Sequence, residues 1–155
     1  MGVFEIDSDA WALIEKHARK DYPDECCGLL AVGADELSVV HGCENIQNKL
    51  HELDPVEHPR MAKTAYRMDD LQVSRILTAT EDASGKLSAI YHSHIDCGAY
   101  FSEEDQKAAQ FSGEPAYPGV TYLVVSVIDG KVENGKAFSW SDDSGQFDEV
   151  PLTIV

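Results

Sequence analysis

The chain has few basic side chains: 12 lysines and arginines stand against 28 aspartates and glutamates among its 155 residues. The formal net charge of −16 would repel nucleic acid and anionic lipid, so neither is expected as a partner. The sequence also lacks an apolar run long enough to cross a membrane. Residues 1–7 have neither a basic flank nor an apolar core, so no signal peptide is predicted and a cytoplasmic location is expected.

Cysteine is scarce as well. Cys26, Cys27, Cys43 and Cys97 form no Cys-x-x-Cys pair, which argues against a zinc ribbon and against a thioredoxin-like motif. In a reducing compartment, free thiols are the expectation. Cys97 follows His94 by three residues and could reach a metal there, although a loop thiol is the simpler interpretation.

The remaining composition is that of an ordinary globular protein. Apolar residues make up 43% of the chain, which predicts a folded protein with no extensive disorder. At this length a single domain over residues 1–155 is the simplest organisation, and it is large enough to form a core without disulfides or structural metals.

The stretch from Tyr91 to Asp105 concentrates the polar chemistry of the sequence. His92 and His94 follow the apolar run 87–91, which is typical of a buried strand. Side chains two apart on a strand point to the same face, so both imidazoles would converge on one point, as a divalent metal requires. Zinc accepts neutral imidazoles and keeps a water in catalytic sites, and Asp105 is the candidate third ligand.

Each part of this stretch has a simpler explanation. A lone His-x-His pair often occurs by chance. Ser102 followed three residues later by Asp105 fits a capping box, which marks a helix start. The two interpretations of Ser102 and Asp105 are compatible, because a helix that begins beside a metal would direct both side chains toward it.

Glu25 completes a composite pattern. It leads into the apolar segment 27–32 and is a candidate general base. Together, Glu25, His92, His94, Ser102 and Asp105 resemble the JAMM (MPN+) zinc metalloprotease family, whose pattern is a distant Glu, His-Ser-His, seven residues, Ser, two residues and Asp. The Glu-x-Cys-Gly-Leu context of Glu25 also matches, and the resemblance extends from about Trp11 to Trp140.

The resemblance implies a mechanism. One Zn²⁺ per chain would be held by His92, His94 and Asp105, and it would activate a water for amide hydrolysis. Glu25 would take the proton of that water and return it to the leaving amine, while Ser102 would donate a hydrogen bond to the oxyanion. Ser93, between the ligands, would face away from the metal.

The resemblance also implies a substrate. Family members typically cleave after the Gly-Gly tail of ubiquitin or a ubiquitin-like protein, and small prokaryotic members resemble enzymes that release cysteine or a peptide from a sulfur carrier. Two other functions stay open, namely a zinc peptidase acting on unrelated peptides or small amides and a non-catalytic MPN scaffold. Phe101 replaces a proline that often precedes the Ser in relatives, and this difference is expected to alter the substrate groove.

The elements along the chain predict a mixed fold. A helix is predicted over 8–20 with His17 on its surface, followed by strands over 27–32 and 37–43. A short strand is predicted over 64–68, a helix over 71–80, the strand that carries the histidines, and a helix from 102 to about 111 with Ala108, Ala109 and Phe111 inward. A loop over 112–119, a central strand over 120–128 and strands over 132–140 and 147–155 complete the chain.

These elements favour an α/β (α+β mixed) fold. The family resemblance sharpens it to a cytidine-deaminase-like core, in which helices flank a curved, mostly antiparallel sheet. Residues 45–66 show no clean period and are predicted to be a long loop at the substrate groove. His51 and His58 lie in this loop without a role in the family pattern, and Asn45 is expected to help shape the groove.

Overall fold

The computed structural model describes residues 2–155. The elements in chain order are β1 (Phe4–Ile6), α1 (Ser8–Asp21), β2 (Cys27–Val32), β3 (Ser38–Cys43), α2 (Gln47–Leu53), α3 (Asp70–Asp82), β4 (Lys86–Ile95), α4 (Glu103–Ala108), β5 (Gln110–Phe111), β6 (Glu114–Pro115), β7 (Thr121–Ile128), β8 (Lys131–Ser141), β9 (Gln146–Val150) and β10 (Leu152–Ile154).

A six-stranded sheet in the order β3-β2-β4-β7-β8-β9 organises the molecule. Every neighbouring pair is antiparallel except β4 and β7, which run parallel. The fold is therefore mixed α/β with a mostly antiparallel sheet, as the sequence predicted. Strand β7 is buried from Thr121 to Val127, which confirms a central strand covered on both faces. Because β2 runs against β4, the start of β2 lies beside the end of β4.

Two apolar layers cover the sheet. Helix α1 packs Trp11, Ile14 and Ala18 against one face, and α3 lies over the opposite face with Ile76 and Leu77. A β-carbon at Gly135 would lie 2.3 Å from the Trp11 ring, so this position in β8 needs glycine for the close approach of α1. The register of β8 against β7 shifts beside Asn134, the neighbour of Gly135, so the strand is irregular at this point.

Several elements depart from the expectation. The region predicted as a loop over 45–66 contains α2, a short helix without a side-chain cap at its start. The strand expected over 64–68 is reduced to one bridge between Asn45 and Met68. Helix α4 ends at Ala108, because the chain turns into the small β5–β6 hairpin, which also occupies part of the predicted loop over 112–119.

The ends of the chain also differ from the expectation. Pro151 interrupts the strand expected over 147–155, because it has no N–H to donate, and the chain divides there into β9 and β10. Strand β10 leaves the main sheet and pairs in parallel with β1, a three-residue strand too short to be apparent from its sequence.

His17 was expected on the surface of α1, and that expectation is wrong. Its Nδ1 lies 2.6 Å from the hydroxyl of Tyr91, and its Nε2 lies 3.1 Å from Oδ2 of Asp21. Tyr91 is fully buried, so His17 supplies the hydrogen-bond partner that the buried hydroxyl requires. The role is structural and lies on the face of the sheet that α1 covers.

No helix within residues 2–155 is both long enough and apolar enough to cross a membrane.

Candidate metal centre

Three metal-ligating side chains converge where β4 ends and α4 begins. His92 and His94 project from the same face of β4, as their spacing predicted, and Asp105 lies in the first turn of α4. The Nε2 atoms of the two histidines are 3.3 Å apart. Oδ2 of Asp105 lies 3.2 Å from Nε2 of His92 and 3.1 Å from Nε2 of His94. All three side chains are buried, so they form a compact donor triangle.

The triangle fits a tetrahedral metal ion. Ligands at the usual zinc distance of about 2.0 Å lie about 3.3 Å from one another in a regular tetrahedron. The three donor separations fall close to that value. Two imidazoles and one carboxylate leave a fourth position open, as in catalytic zinc sites. This His-His-Asp group can therefore hold a metal.

A hydrogen bond orients the imidazole of His94, and ring stacking orients that of His92. Nδ1 of His94 lies 3.0 Å from the carbonyl oxygen of Gly98, which only accepts, so Nδ1 carries the proton and Nε2 is left as a donor atom for a metal. The ring of His92 stacks on Tyr66 with centroids 4.4 Å apart. Nδ1 of His92 is buried without a hydrogen-bond partner among the described residues.

Asp105 is held by the start of its own helix. Ser102 Oγ accepts a hydrogen bond from the Asp105 amide, and Oδ2 of Asp105 accepts one from the Ser102 amide, both at 3.0 Å. This capping box leaves the Ser102 hydroxyl proton free to point into the cleft. The predicted capping box is confirmed, and it is compatible with a role of both residues at a metal site.

The charge states suit a cation. Burial raises the pKa of Asp105, but the neighbouring imidazoles of His92 and His94 and the hydrogen bond from the Ser102 amide outweigh burial and hold the pKa of this carboxyl well below its usual range. Burial lowers the pKa of His92, which favours the neutral imidazole. A carboxylate and neutral imidazoles are the forms that bind metals.

Glu25 lies two residues before the start of β2 and is 5% exposed. The next residue, Cys26, donates its amide to Ser93 Oγ at 2.8 Å, which ties this part of the chain to β4 between the two histidines. Ser93 thus faces away from the donor triangle, as expected, and positions the backbone beside Glu25. The Glu25 amide donates to the carbonyl of Ala62 at 2.8 Å.

The electrostatic environment of Glu25 favours its protonated form. Burial, followed by the negative charge of Asp105, raises its pKa from 4.5 to about 9, and Arg60 acts in the opposite direction. A carboxyl with so high a pKa that also faces a cleft is a typical candidate for proton transfer.

This shift predicts a stability effect in metal-free protein. The pKa of Glu25 is about 9 in the folded protein and 4.5 in the unfolded chain, so the folded state holds the proton more tightly. The contribution of Glu25 to stability is therefore fully present below pH 4.5 and is lost as the pH rises toward 9. We expect Glu25→Gln to raise the free energy of unfolding by on the order of 3 kcal/mol at pH 7 and by almost nothing at pH 4. Urea titrations of both proteins at the two pH values, with a chelator present, measure this difference. An equal gain at both pH values would contradict it.

A cleft of about 560 Å³ opens beside the triangle. Glu25, His94, Ser102 and Asp105 line it, together with the segment 57–66. The region 45–66 thus forms a wall of the site, although it is more ordered than the expected loop. The structure brings all five candidate residues to one place, since the rings of His92 and His94 are in contact.

The other polar candidates lie outside the donor triangle. His58 and the half-buried Cys97 line the cleft, but neither belongs to the group of converging metal ligands. Nδ1 of His51 is bonded to the carbonyl of His58 at 2.8 Å. Asn45 shapes the wall, as expected, because its side-chain amide donates to the carbonyls of Glu25 and Ala65.

Sequence reasoning missed two contributions to the site. Tyr66 was assigned to a short strand, yet its ring packs on His92. Arg60 and Lys63 line the cleft and were not singled out. No periodicity or spacing marks these residues, because side-chain hydrogen bonds to the backbone determine the path of their segment.

The chain is thus a mixed α/β domain that carries, at the end of a central strand, a His-His-Asp group able to hold a metal. The family model described as prokaryotic homologs of the JAB domain matches residues 7–143. The chain therefore belongs to the JAB family, in agreement with the resemblance seen in its motif.

Relatives with a named activity align over almost the whole chain. The chain is similar to the CysO-cysteine peptidases of Mycobacterium tuberculosis and Mycobacterium bovis, with 30% identity over 153 residues. The match covers 99% of this chain and 92% of each relative.

Solved structures share the fold. A protein from Desulfitobacterium hafniense superposes with a TM-score of 0.70 at 20% identity, covering 99% of this chain and 92% of the other. A protein from Salinibacter ruber gives a TM-score of 0.60 at 24% identity, covering 100% and 92%. A JAB1/MPN domain protein from Archaeoglobus fulgidus gives 0.50 at 14% identity, covering 99% of both chains.

Proposed function

We propose that the chain is a zinc-dependent hydrolase that cleaves the amide after the C-terminal Gly-Gly of a sulfur-carrier or ubiquitin-like protein, releasing cysteine or a peptide. The observation that carries the proposal is the donor triangle of His92, His94 and Asp105 with Glu25 beside it in one cleft. The CysO-cysteine peptidases supply the substrate class, since 99% of this chain aligns with them.

His92, His94 and Asp105 would hold the ion. Zinc bound in such a site lowers the pKa of a coordinated water to about 7 and so supplies a nucleophile at neutral pH. The chain must then orient the substrate carbonyl, manage the protons and stabilise the developing negative charge.

Glu25 is the proposed general base and then general acid. Its raised pKa in the absence of a metal reflects burial and the neighbouring carboxylate of Asp105, and a cation in the triangle would offset both effects. Its carboxylate accepts a proton from the attacking water and returns it to the leaving amine. Ser102, whose hydroxyl proton is not used within the capping box, donates to the oxyanion.

A second groove extends the cleft on the side of α3. It has a volume of about 870 Å³ and shares Tyr66 and Ala108 with the first cleft. Apolar and aromatic side chains line much of it: Met68, Leu77, Ile90, Phe111 and Tyr122. Phe111 was expected to point inward, but it is 78% exposed in this groove. Ala108 is exposed as well, contrary to the expectation, whereas Ala109 is buried as predicted. An extended tail could follow this groove to the donor triangle.

Ser102→Ala tests the oxyanion role. We expect kcat to fall by about 100- to 1,000-fold with zinc content unchanged, because one preorganised donor is lost. Loss of the helix cap would also lower stability by about 1 kcal/mol. Ser102→Thr is the matched control, since it keeps the hydroxyl and the cap. An equal fall in kcat in Ser102→Ala and Ser102→Thr would show that the shape of the site, rather than the hydroxyl proton, causes the loss.

The function is tested by zinc content and cleavage in sequence. Protein purified without added metal should contain about one zinc per chain. The same protein should then release cysteine from a carrier that ends in Gly-Gly-Cys, measured by mass spectrometry. Zinc-free protein after attempted reconstitution would favour a non-catalytic scaffold. Cleavage of small amides without cleavage of the carrier would favour the peptidase with unrelated substrates.

A further inference from the structure

Two positive side chains lie in the otherwise acidic wall of the cleft. Arg60 and Lys63 line it together with five acids: Glu25, Glu57, Glu103, Glu104 and Asp105. Within residues 2–155, no other lysine or arginine lines this cleft. Neither cation forms an ion pair with a carboxylate of the described chain, whereas Lys49, Lys107 and Lys136 do. A negatively charged ligand group would be repelled here except beside these two residues.

The segment 60–65 and Glu25 form one hydrogen-bonded unit. The Glu25 amide donates to the carbonyl of Ala62 at 2.8 Å. The side-chain amide of Asn45 donates to the carbonyls of Glu25 at 2.9 Å and Ala65 at 3.1 Å. Ala62 is itself buried. The backbone that carries both cations is therefore fixed relative to the proposed acid and base.

Arg60 is anchored but retains most of its donors. Its carbonyl accepts a hydrogen bond from the buried side chain of Gln47 at 3.0 Å, and its Nη1 donates to the carbonyl of Thr64 at 3.3 Å. A guanidinium has five N–H donors in a planar fork that matches a carboxylate. The remaining donors of Arg60 are free to bind such a group.

The chemistry of hydrolysis places the leaving group on the side of the cleft formed by Glu25 and the segment 60–65. Water adds across the amide: the C–N bond breaks, the acyl carbon gains OH and the nitrogen gains a proton. Since Glu25 delivers that proton, the leaving amine must lie beside Glu25 and therefore beside the segment 60–65. In a free amino acid, the carboxylate is only two bonds from this nitrogen. A lysine side chain, or a residue inside a longer peptide, carries no negative charge at that position.

We propose that Arg60, with Lys63, binds the α-carboxylate of the leaving amino acid and so selects carriers in which a single residue follows the Gly-Gly tail. This rests on the proposed function, because it takes Glu25 as the group that protonates the leaving amine. The two cations act as specificity residues, and the acidic remainder of the wall discriminates against carboxylates placed elsewhere.

The test compares two forms of one carrier substrate. A Gly-Gly-tailed carrier is prepared with one added cysteine, either with its free carboxylate or as the C-terminal carboxamide. For the wild type we expect kcat/KM to be about tenfold higher for the carboxylate, mainly through KM, because a charge-assisted hydrogen bond is lost in the carboxamide. Equal kcat/KM for the two forms would overturn the inference while leaving the proposed function intact. Cleavage of neither form would overturn both.

Variants assign the preference to its residues. In Arg60→Gln the ratio of the two kcat/KM values should fall toward one, with Lys63→Gln producing a smaller decrease. Any indirect effect on Glu25 changes both substrates alike and cancels in the ratio. Lys49→Gln, which removes a cation paired with Glu44 outside the cleft, should keep the wild-type ratio. An unchanged ratio in Arg60→Gln together with Lys63→Gln would also overturn the inference.

Discussion

Glu25→Gln is expected to lower kcat about 100- to 10,000-fold while the protein still binds one zinc per chain. The amide keeps the size and burial of the side chain but cannot accept the proton of the water or return it to the leaving amine. The donor triangle does not include Glu25, so metal binding should survive. Single-turnover cleavage of the carrier and zinc content measured on the same preparation separate the two effects.

The matched control for this change is Glu57→Gln. Glu57 lines the same cleft but is exposed, and its removal changes the charge of the wall by the same amount. We expect its activity to stay within a few-fold of the wild type, because the Glu57 side chain is exposed and belongs neither to the donor triangle nor to the groups proposed to transfer protons. A similar loss in both variants would indicate that charge in the cleft, rather than proton transfer at Glu25, limits the reaction.

Asp105→Asn is expected to lower zinc affinity by more than about 100-fold, since loss of an outer partner alone typically costs 10- to 100-fold. The asparagine oxygen can still accept the hydrogen bond from the Ser102 amide, so the start of α4 should persist. Competition with a chromogenic chelator measures the affinity. Thermal unfolding gives a second readout, because zinc at about 100 times its Kd stabilises by about 3 kcal/mol.

Glu103→Gln is the control for Asp105→Asn. It removes a negative charge from the same helical turn without removing a donor of the triangle. Zinc should raise the melting temperature of the wild type and of Glu103→Gln, but not that of Asp105→Asn. Retention of tight zinc binding by Asp105→Asn would show that a different set of residues holds the metal.

Local spacing explains why the core of the site was predictable. His92 and His94 share a face because side chains alternate along a strand, and Ser102 and Asp105 meet because a helix start brings such residues together. The contribution of Glu25 required more than spacing, since it lies far away in sequence. Only the resemblance to the family pattern connected it with the histidines before the structure did so.

The wall of the cleft could not be predicted in the same way. Helix α2 is short, and its first turn has no side-chain cap. The following segment is fixed by amide side chains that bind backbone carbonyls: Gln47 holds the carbonyl of Arg60, and Asn45 holds that of Ala65. Such pairings depend on a three-dimensional path that leaves no period in the sequence. The pairing of β1 with β10 is similarly hidden, because it joins the two ends of the chain.

Asn45 joins several segments of the cleft wall through its side chain. Its side chain binds the carbonyls of Glu25 and Ala65 and accepts hydrogen bonds from the amides of Gln47 and Arg67. The stretch 54–59, between α2 and the fixed segment, is mostly exposed and contributes none of these four bonds. We therefore expect changes to its sequence to leave these four bonds in place. A protein engineer could graft new segments there to change which leaving group is accepted, provided that Asn45 is retained.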